Sequence, residues 1–350
     1  MESSRLVFPI LTFITDLRKP NYRRYITTRS SYHNHNHNSD HRILNTQRSD
    51  TESESGPNHV SIPFLSNLSS SLAMLASVFF LTWNREIVFA EAPYLCENVE
   101  MYYSGTDHLE GDDLLERLNS VVSGHISLRY KEVWNALGIL DAANIDEPET
   151  SPDVIEIYSL RPVPKKLAGK AQGWNREHLW PRSYGLTKGP SLTDLHNIRP
   201  ADANVNSSRG NKYYGECLSE STDRCVRPAN IEASPDTETD KTKWAPPLQV
   251  RGDIARSLMY MAVRYASHQS TGNPHLQLSD SPNSKKQEMG LLSVLLKWNE
   301  IDPPSMDEKL RNSRVCSLYQ HNRNPFVDHP EYANIIWKHR SQNEQQEVIP

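Results

Sequence analysis

A short run of the sequence, GWNREHLWPRSYGL at residues 173–186, brings ionisable side chains together between two tryptophans. Glu177 and His178 are adjacent, and Arg176 and Arg182 flank them. A carboxylate oxygen can bind a hard metal ion, and an imidazole with the ordinary pKa of about 6.5 can accept a proton at neutral pH. A solvated surface loop would account for the charges but not for the tryptophans. The run therefore predicts a catalytic or metal-binding site.

A second segment, residues 193–216, offers a partner for this run. It is dense in Asn, Asp, His and Arg and short of apolar residues. A short helix within residues 202–211 would direct Asn206 and Arg209, which are three residues apart, along one face. A strand that carries Glu177 towards this helix would bring an anionic oxygen and a neutral oxygen together.

Two such oxygens suit Mg²⁺, which typically keeps water and substrate phosphate in the rest of its octahedral shell. His178 is a poor ligand for this ion and stays free to act as a general base. Residues 161–227 contain 12 Lys and Arg but only 6 Asp and Glu, although the formal net charge of the whole chain is −5. A local basic surface of this kind suits a polyanionic substrate. Together these features predict metal-assisted hydrolysis of a phosphodiester.

The elements that must position these residues are helices around a small centre that contains strands. Hydrophobic periodicity predicts helices over 111–125, 130–141, 252–267 and 289–302, and alternation predicts a strand over 153–160. The sequence shows no internal repeat. The predicted fold class is therefore mixed α+β, with one catalytic domain over residues 94–345.

The N-terminal region has a composition unlike that of a folded domain. Residues 1–60 are rich in Ser, Thr, Asn, His and Arg, which is typical of a disordered organellar targeting leader. Residues 61–93 include the apolar run 71–83, which is short for a membrane span of about 20 residues. Ala90 and Ala92 fit a small-residue cleavage site. We expect a second sorting signal here, with a retained membrane anchor as the alternative.

The four cysteines are too few for a disulfide scaffold, but they could form two pairs. Cys217 and Cys225 are eight residues apart and could close a loop. Cys96 and Cys316 could join the two ends of the domain. Such pairs would need an oxidising compartment. Because the sequence has no C-x-x-C pair, we do not expect a zinc site.

Three segments together resemble the endonuclease I family of nonspecific nucleases, most closely its secreted bacterial members. They are NREHLWPRS (175–183), TDLHNIRPADANVNSSRGNKYYGE (193–216) and QHNRNPFVDHPEYANIIW (320–337), and the similarity covers most of 100–337. The resemblance implies helices packed around a small central ββα-metal (His-Me finger) motif. It also implies sequence-independent cleavage of DNA and RNA through their phosphate backbones, which leaves 5′-phosphate and 3′-hydroxyl ends.

Carried over to this chain, the resemblance assigns individual roles. It implies that His178 is the general base and that Glu177 and Asn206 are the metal ligands. Arg176 and Arg209 occupy positions where the family places arginines that contact phosphate. The implied ion is Mg²⁺, with Mn²⁺ or Ca²⁺ as substitutes. The resemblance implies no small-molecule cofactor, and we expect a monomer.

One departure from the family pattern affects these roles. Some members carry a long cysteine-rich insert between the halves of the finger, and this sequence lacks it. Stabilisation of charge by an arginine on that insert would therefore fall to Arg182 or Arg209. The alternative functions are a catalytically weak nucleic-acid-binding module, which would lack the base or a ligand, and a metal-dependent phosphatase, which would not need so many cations.

The remaining polar and aromatic residues of the three segments have structural interpretations. We expect His196 to be a packing or hydrogen-bonding residue, Asp194 and Asp202 to serve turns and caps, and Trp174 and Trp180 to lie in the core. The residues that should tie the C-terminal segment against the finger by hydrogen bonds are Asn322, Arg323, Asn324 and His329.

An N-x-S glycosylation sequon begins at the predicted ligand Asn206. A glycan on this amide would block the predicted metal site. An organellar route avoids the compartment that adds such glycans, and the basic, acid-poor leader points the same way. We therefore expect import into a plastid or mitochondrion, in the lumen or at a membrane, with secretion as the alternative.

Overall fold

Two antiparallel strands and the helix that follows them lie at the centre of the fold. The computed structural model describes residues 96–217, 224–266 and 274–338. The predicted leader, apolar run and cleavage site, all within residues 1–93, lie outside these described residues. Within them, no helix is long and apolar enough to cross a membrane. Helices and short strands together give the mixed α+β class that the sequence predicted.

The described helices are short, apart from two at the core. They include α1 (Val99–Tyr102), α2 (Gly111–Val122), α3 (Val133–Leu140), α4 (Ala203–Arg209), α5 (Arg251–Arg264), α6 (Leu292–Ile301), α7 (Met306–Arg314), which continues as a π-helical turn (Val315–Gln320), and α8 (Pro325–Asp328), and residues 332–338 are also helical. The strands are β1 (Asp153–Ile155), β2 (Pro162–Pro164), β3 (Trp174–His178), β4 (Ile198–Asp202), β5 (Tyr213–Tyr214), β6 (Glu238–Thr239), β7 (Lys243–Ala245), β8 (Gln277–Leu278) and β9 (Glu288–Met289).

Strands β3 and β4 pair antiparallel, with Trp174 opposite Asp202 and His178 opposite Ile198. Strand β4 runs directly into α4. The carboxylate of Asp202 accepts hydrogen bonds from the backbone N–H groups of Asn204 and Val205, which satisfies two of the unpaired donors at the helix start. The expected capping role of Asp202 is confirmed. Residues 174–209, from the start of β3 to the end of α4, are called the finger below.

The finger lies between two hydrophobic clusters. The larger one contains α5 and receives Trp180 and Ala201, whereas the smaller one contains α3 and receives Trp174 and Ile198. Because successive side chains of a strand point to opposite faces, one hairpin can contribute to both clusters. Both tryptophans are buried. Their expected place in the core is confirmed, and the finger is held from both sides.

The long helices follow the apolar periodicity of the sequence. Helix α2 buries residues 114, 118 and 122, spaced four apart, and carries acidic residues in its first turn, where they favour the positive helix end. Helix α5 is buried along nearly its whole length and packs against α2, α6 and α8. The helices predicted over 111–125 and 252–267 are thus confirmed with slightly shorter bounds.

Three predicted elements differ in extent. The strand predicted over 153–160 ends at Ile155, because the chain turns back to pair β1 with β2 and Leu160 adopts a positive φ of 56°. The helix predicted over 130–141 starts as a 3-10 turn (Tyr130–Glu132). The helix predicted over 289–302 begins at Leu292, after residues that pair in β9.

Both cysteine pairs that the sequence allowed are formed. Cys217 bonds to Cys225, and Cys96 bonds to Cys316. The second disulfide joins the segment before α1 to the π-helical turn after α7.

Candidate active site

His178 is the last residue of β3, and its imidazole is buried. Its Nε2 lies 2.9 Å from the carbonyl oxygen of Leu192, so the neutral ring donates its Nε2–H there and carries its lone pair on Nδ1. Burial lowers the pKa of His178 to about 4. The pKa of His178 in the folded chain therefore differs from the ordinary value of about 6.5 that was expected from the residue type. The ring is still in the unprotonated form that a general base needs at neutral pH.

Glu177 points to the opposite face of β3. Its carboxylate is 4% exposed, and its Oε1 accepts hydrogen bonds from the Tyr158 hydroxyl at 2.9 Å and from Arg209 Nη1 at 3.0 Å. Burial raises the pKa of Glu177, and the positive charge of Arg209 acts against this rise. Among the described residues both side-chain bonds fall on Oε1. Oε2 is therefore the oxygen that a metal ion would use.

Asn206 lies on α4, one turn before Arg209. Side chains three residues apart share a helix face, and Arg209 reaches Glu177. Asn206 therefore lies on the side of α4 that packs against β3. It is half-buried, and its side-chain amide has no hydrogen bond within the described part of the chain. One neutral amide oxygen and one carboxylate oxygen form a donor pair that fits a hard ion such as Mg²⁺.

Arg209 is buried below the site rather than at its surface. Its Nη1 donates to Glu177 Oε1 and, at 3.1 Å, to the His178 carbonyl oxygen, and its Nη2 donates to the Leu179 carbonyl oxygen at 2.7 Å. Its guanidinium lies over the Tyr214 ring, with Cζ 4.6 Å from the centroid. With 1% of the residue exposed, the phosphate contact expected of Arg209 does not fit this location. The side chain instead fixes the carboxylate of Glu177 and the backbone of the next two residues, His178 and Leu179.

Arg176 lies on the same face of β3 as His178 and is held between two rings. Its Cζ is 3.5 Å from the centroid of Tyr130 and 4.1 Å from that of Trp134, and its Nη1 donates to the Tyr130 carbonyl oxygen at 2.6 Å. Arg182, which is exposed, lies with its Cζ 5.4 Å from the Tyr130 ring. Two guanidinium groups thus border the imidazole. Such groups match the oxygens of a phosphate.

Tyr130 and Trp134 are site residues that were not predicted from the sequence. The centroid of the Tyr130 ring is 6.1 Å from that of His178. Their four-residue spacing on a predicted helix was a usable signal, because i and i+4 side chains lie side by side. Their distance from the finger in sequence hid the connection.

Asp194 does more than the turn role that was expected. It is fully buried, and its carboxylate accepts hydrogen bonds from the hydroxyls of Tyr260 at 2.8 Å and Tyr265 at 2.9 Å and from Gln320 Nε2 at 3.2 Å. Burial acts to raise the pKa of Asp194, but the nearby imidazoles and these donors outweigh it and the pKa is lowered. The network fixes the loop whose Leu192 carbonyl orients His178.

His196 and two residues of the C-terminal segment serve packing. The Nε2 of His196 is 3.2 Å from the Asn322 carbonyl oxygen, and its ring centroid is 4.4 Å from that of Tyr260. The expected hydrogen-bonding role of His196 is confirmed. Arg323 donates through Nε to Asp328 at 2.7 Å and is buried, so it faces helix α8 and not the finger.

Asn324 and His329 also bind away from the finger. Asn324 Oδ1 accepts from the Phe326 backbone N–H, and its Nδ2 donates to the Arg256 carbonyl oxygen at 3.0 Å. His329 stacks on Tyr332 with centroids 4.8 Å apart. Of the four residues expected to tie this segment to the finger, Asn322 makes the direct link through His196. The other three hold the segment to the surrounding helices and loops.

Comparison with known proteins places these residues in a defined group. The family model described as Endonuclease I matches residues 111–331, which include the whole finger. The Extracellular ribonuclease of Bacillus subtilis (strain 168) is 42% identical over 251 residues, covering 70% of this chain and 81% of the relative. The Extracellular ribonuclease of Bacillus amyloliquefaciens is 42% identical over 245 residues, covering 69% of this chain and 79% of the relative.

Proposed function

The chain belongs to the endonuclease I family and is a nuclease, and on this premise we propose that it is a metal-dependent, sequence-nonspecific endonuclease. It hydrolyses phosphodiesters of RNA and DNA to 5′-phosphate and 3′-hydroxyl ends. Members of this family generally depend on a divalent metal ion. For this chain we propose Mg²⁺, with Mn²⁺ or Ca²⁺ as substitutes.

One observation carries the proposal. The end of β3 presents an unprotonated imidazole on one face and a carboxylate with an available oxygen on the other. These are the two groups that metal-assisted hydrolysis of a phosphodiester uses: one to accept a proton from water and one to hold a metal ion.

The chain's own residues divide the work as follows. His178 takes a proton through Nδ1 from a water in line with the scissile bond, and its Nε2–H bond to the Leu192 carbonyl stabilises the positive ring that forms. Arg176, held by two aromatic rings, and the exposed Arg182 bind non-bridging oxygens of the phosphate. Charge stabilisation on this side therefore falls to Arg182, one of the two arginines named from the sequence.

The metal side of the site depends on Glu177 and Asn206. Glu177 and Asn206 would hold the ion, and when bound it would neutralise the negative charge that develops on the phosphate. Arg209 favours the ionised form of the Glu177 carboxylate and fixes its position, which we propose as its role instead of a contact with phosphate.

RNA is the substrate class with the most direct support, because both relatives are named as ribonucleases. Cleavage of DNA as well follows from recognition of the backbone without an element that reads bases. We therefore propose both nucleic acids as substrates and a monomer as the active form.

The test uses full-length protein incubated with supercoiled plasmid and with a long RNA, in Mg²⁺ or in EDTA. Cleavage that needs Mg²⁺ and yields 5′-phosphate ends supports the proposal. The matched control is Glu177→Gln, which keeps the size of the side chain and removes its charge. Binding of nucleic acid without cleavage would instead identify a binding module, and release of phosphate from small esters alone would identify a phosphatase.

The compartment is proposed from two observations. Both relatives are named as extracellular, and the chain forms two disulfides, which persist in oxidising surroundings. They support transport out of the cytosol by secretion, while import into a plastid or mitochondrion stays a prediction from the leader. Fusion of residues 1–100 to a fluorescent protein separates these routes, and mass spectrometry then shows whether the sequon at Asn206 carries a glycan.

A further inference from the structure

A groove beside the finger carries three lysines. Its volume is about 650 Å³. It is called the lysine groove below, and the lining residues that define it are Tyr184, Asn211, Lys212, Tyr213, Lys241 and Lys285. Among the described residues that line it there is no carboxylate. The lining is therefore positively charged, whereas the chain as a whole is negative.

The lysine groove begins where both halves of the active site end. Strand β3 continues into the 3-10 turn Arg182–Tyr184, and α4 continues through Asn211 to Tyr213. The Tyr184 hydroxyl donates to the Asn211 carbonyl oxygen at 2.8 Å, and the rings of Tyr184 and Tyr213 lie 6.3 Å apart. Residues that follow both halves of the active site in sequence therefore line the groove together.

The acidic residues next to the groove accept hydrogen bonds from backbone N–H groups of the surrounding loops. The Asp240 Oδ1 accepts from the backbone N–H groups of Thr242 at 2.8 Å and Lys243 at 2.7 Å, and Lys243 Nζ pairs with its other oxygen at 3.6 Å. Glu288 accepts from the Asn283 backbone N–H at 2.9 Å. Both carboxylates hold the loops of the walls, and the charge of Asp240 also acts on Lys212.

The three lysines differ in how they are held. Lys212 Nζ donates to Thr239 Oγ1 at 2.7 Å and is half-buried. Lys241 and Lys285 are exposed and come from two different segments, the turn between β6 and β7 and the 3-10 turn Ser284–Lys286. An ammonium group binds phosphate as a point charge and reads no base, and the partly exposed ring of Tyr213 offers a stacking face to a base of any kind, whereas Tyr184 is buried. The combination suits the backbone of a nucleic acid.

We propose that the lysine groove binds the phosphate backbone of the strand that extends beyond the cleaved bond, so that the enzyme favours long chains over short oligonucleotides. The inference rests on the proposed nuclease function and adds a binding surface outside the catalytic residues. Each lysine that neutralises a phosphate releases counterions, and this makes the affinity for long substrates depend on salt.

The test compares full-length wild type with the double variant Lys241→Ala/Lys285→Ala, in Mg²⁺. The substrates are oligoribonucleotides of about 30 and about 4 nucleotides, one longer and one no longer than a typical strand-binding site. In the double variant we expect KM for the long substrate to rise. For the short substrate we expect kcat and KM to equal those of wild type. The slope of log(kcat/KM) against log[salt] for the long substrate should become shallower by about 2, about 1 for each lysine.

A second double variant, Lys297→Ala/Lys309→Ala, removes the same charge from exposed positions on α6 and α7 that do not line the groove. It should leave the ratio of long to short kcat/KM unchanged. If the groove variant loses kcat/KM equally on the long and the short substrate, or if its salt slope is unchanged, the lysine groove does not bind the strand. The proposed nuclease function would stand in either case. Wild type that cleaves neither length would overturn the proposed function and this inference with it. Thermal unfolding confirms that the variants stay folded.

Discussion

Replacing Arg209 by lysine separates a positioning role from direct contact with phosphate. The guanidinium donates to Glu177 Oε1 and to the carbonyl oxygens of His178 and Leu179, all in a buried site. An ammonium group keeps the charge but cannot make this planar set of bonds. We expect the free energy of unfolding to fall by about 3 kcal/mol, the worth of one or two charge-assisted hydrogen bonds left unmade. For a domain of this size, Tm should then fall by roughly 6–12 °C.

The assay pairs thermal unfolding with steady-state kinetics on a long RNA. Arg209→Lys should lower kcat, because the Glu177 carboxylate and the His178 backbone lose their support, and KM should change little. The control is Arg182→Gln, an exposed position, which should raise KM while the free energy of unfolding stays within about 0.5 kcal/mol of wild type. If Arg209→Lys kept the wild-type Tm and lost only substrate affinity, Arg209 would have to contact the phosphate, and the buried location would not describe the active form.

Four further substitutions test the other site residues and one buried carboxyl outside the site. His178→Ala should lower kcat by about 10²–10⁴-fold, the usual contribution of a positioned base, with KM near that of wild type; near-native turnover would remove His178 from the mechanism. Glu177→Ala and Asn206→Ala should each raise the Mg²⁺ concentration that gives the half-maximal rate, and excess Mg²⁺ should restore part of the lost rate. If the Mg²⁺ titration is unchanged in both variants, the two residues are not the ligand pair. Burial raises the pKa of Glu156 from 4.5 to about 7, so the folded state favours its protonated form. The contribution of Glu156 to the free energy of unfolding should therefore fall as pH rises from 4.5 through about 7, opposite in sign to the contributions of the buried His178 and His196. Urea titrations of wild type and Glu156→Gln measure the difference, and a difference that does not change with pH would exclude this carboxyl as the cause.

The parts of the fold that the sequence predicted are those fixed by local pattern. Helices α2 and α5 follow apolar spacing that repeats over several turns, and Asp202 is a capping residue placed directly before a helix. The strand over 153–160 was overextended because Ile157 and Tyr158 continue the buried pattern inside a turn. Alternating burial alone does not distinguish a strand from a turn that packs on the core.

The details of the site depend on contacts that are distant in sequence. The three-residue spacing of Asn206 and Arg209 indicated a shared helix face, but not that Arg209 would point inward to Glu177. The partners of Asp194 come from α5 and from Gln320, 126 residues away. No spacing rule links such positions, so the support of the His178 loop could be found only once the chain was folded.

The bond between Cys96 and Cys316 spans 220 positions and turns nearly all of the described chain into one covalent ring. A protease that cuts this ring once produces a nicked molecule, not two fragments. The two pieces stay at a high effective concentration, and the nicked form can keep its shape and reassemble after a transient opening. Where proteases are abundant and replacement is slow, this would lengthen the working life of the enzyme. Such damage would become visible on a gel only after reduction.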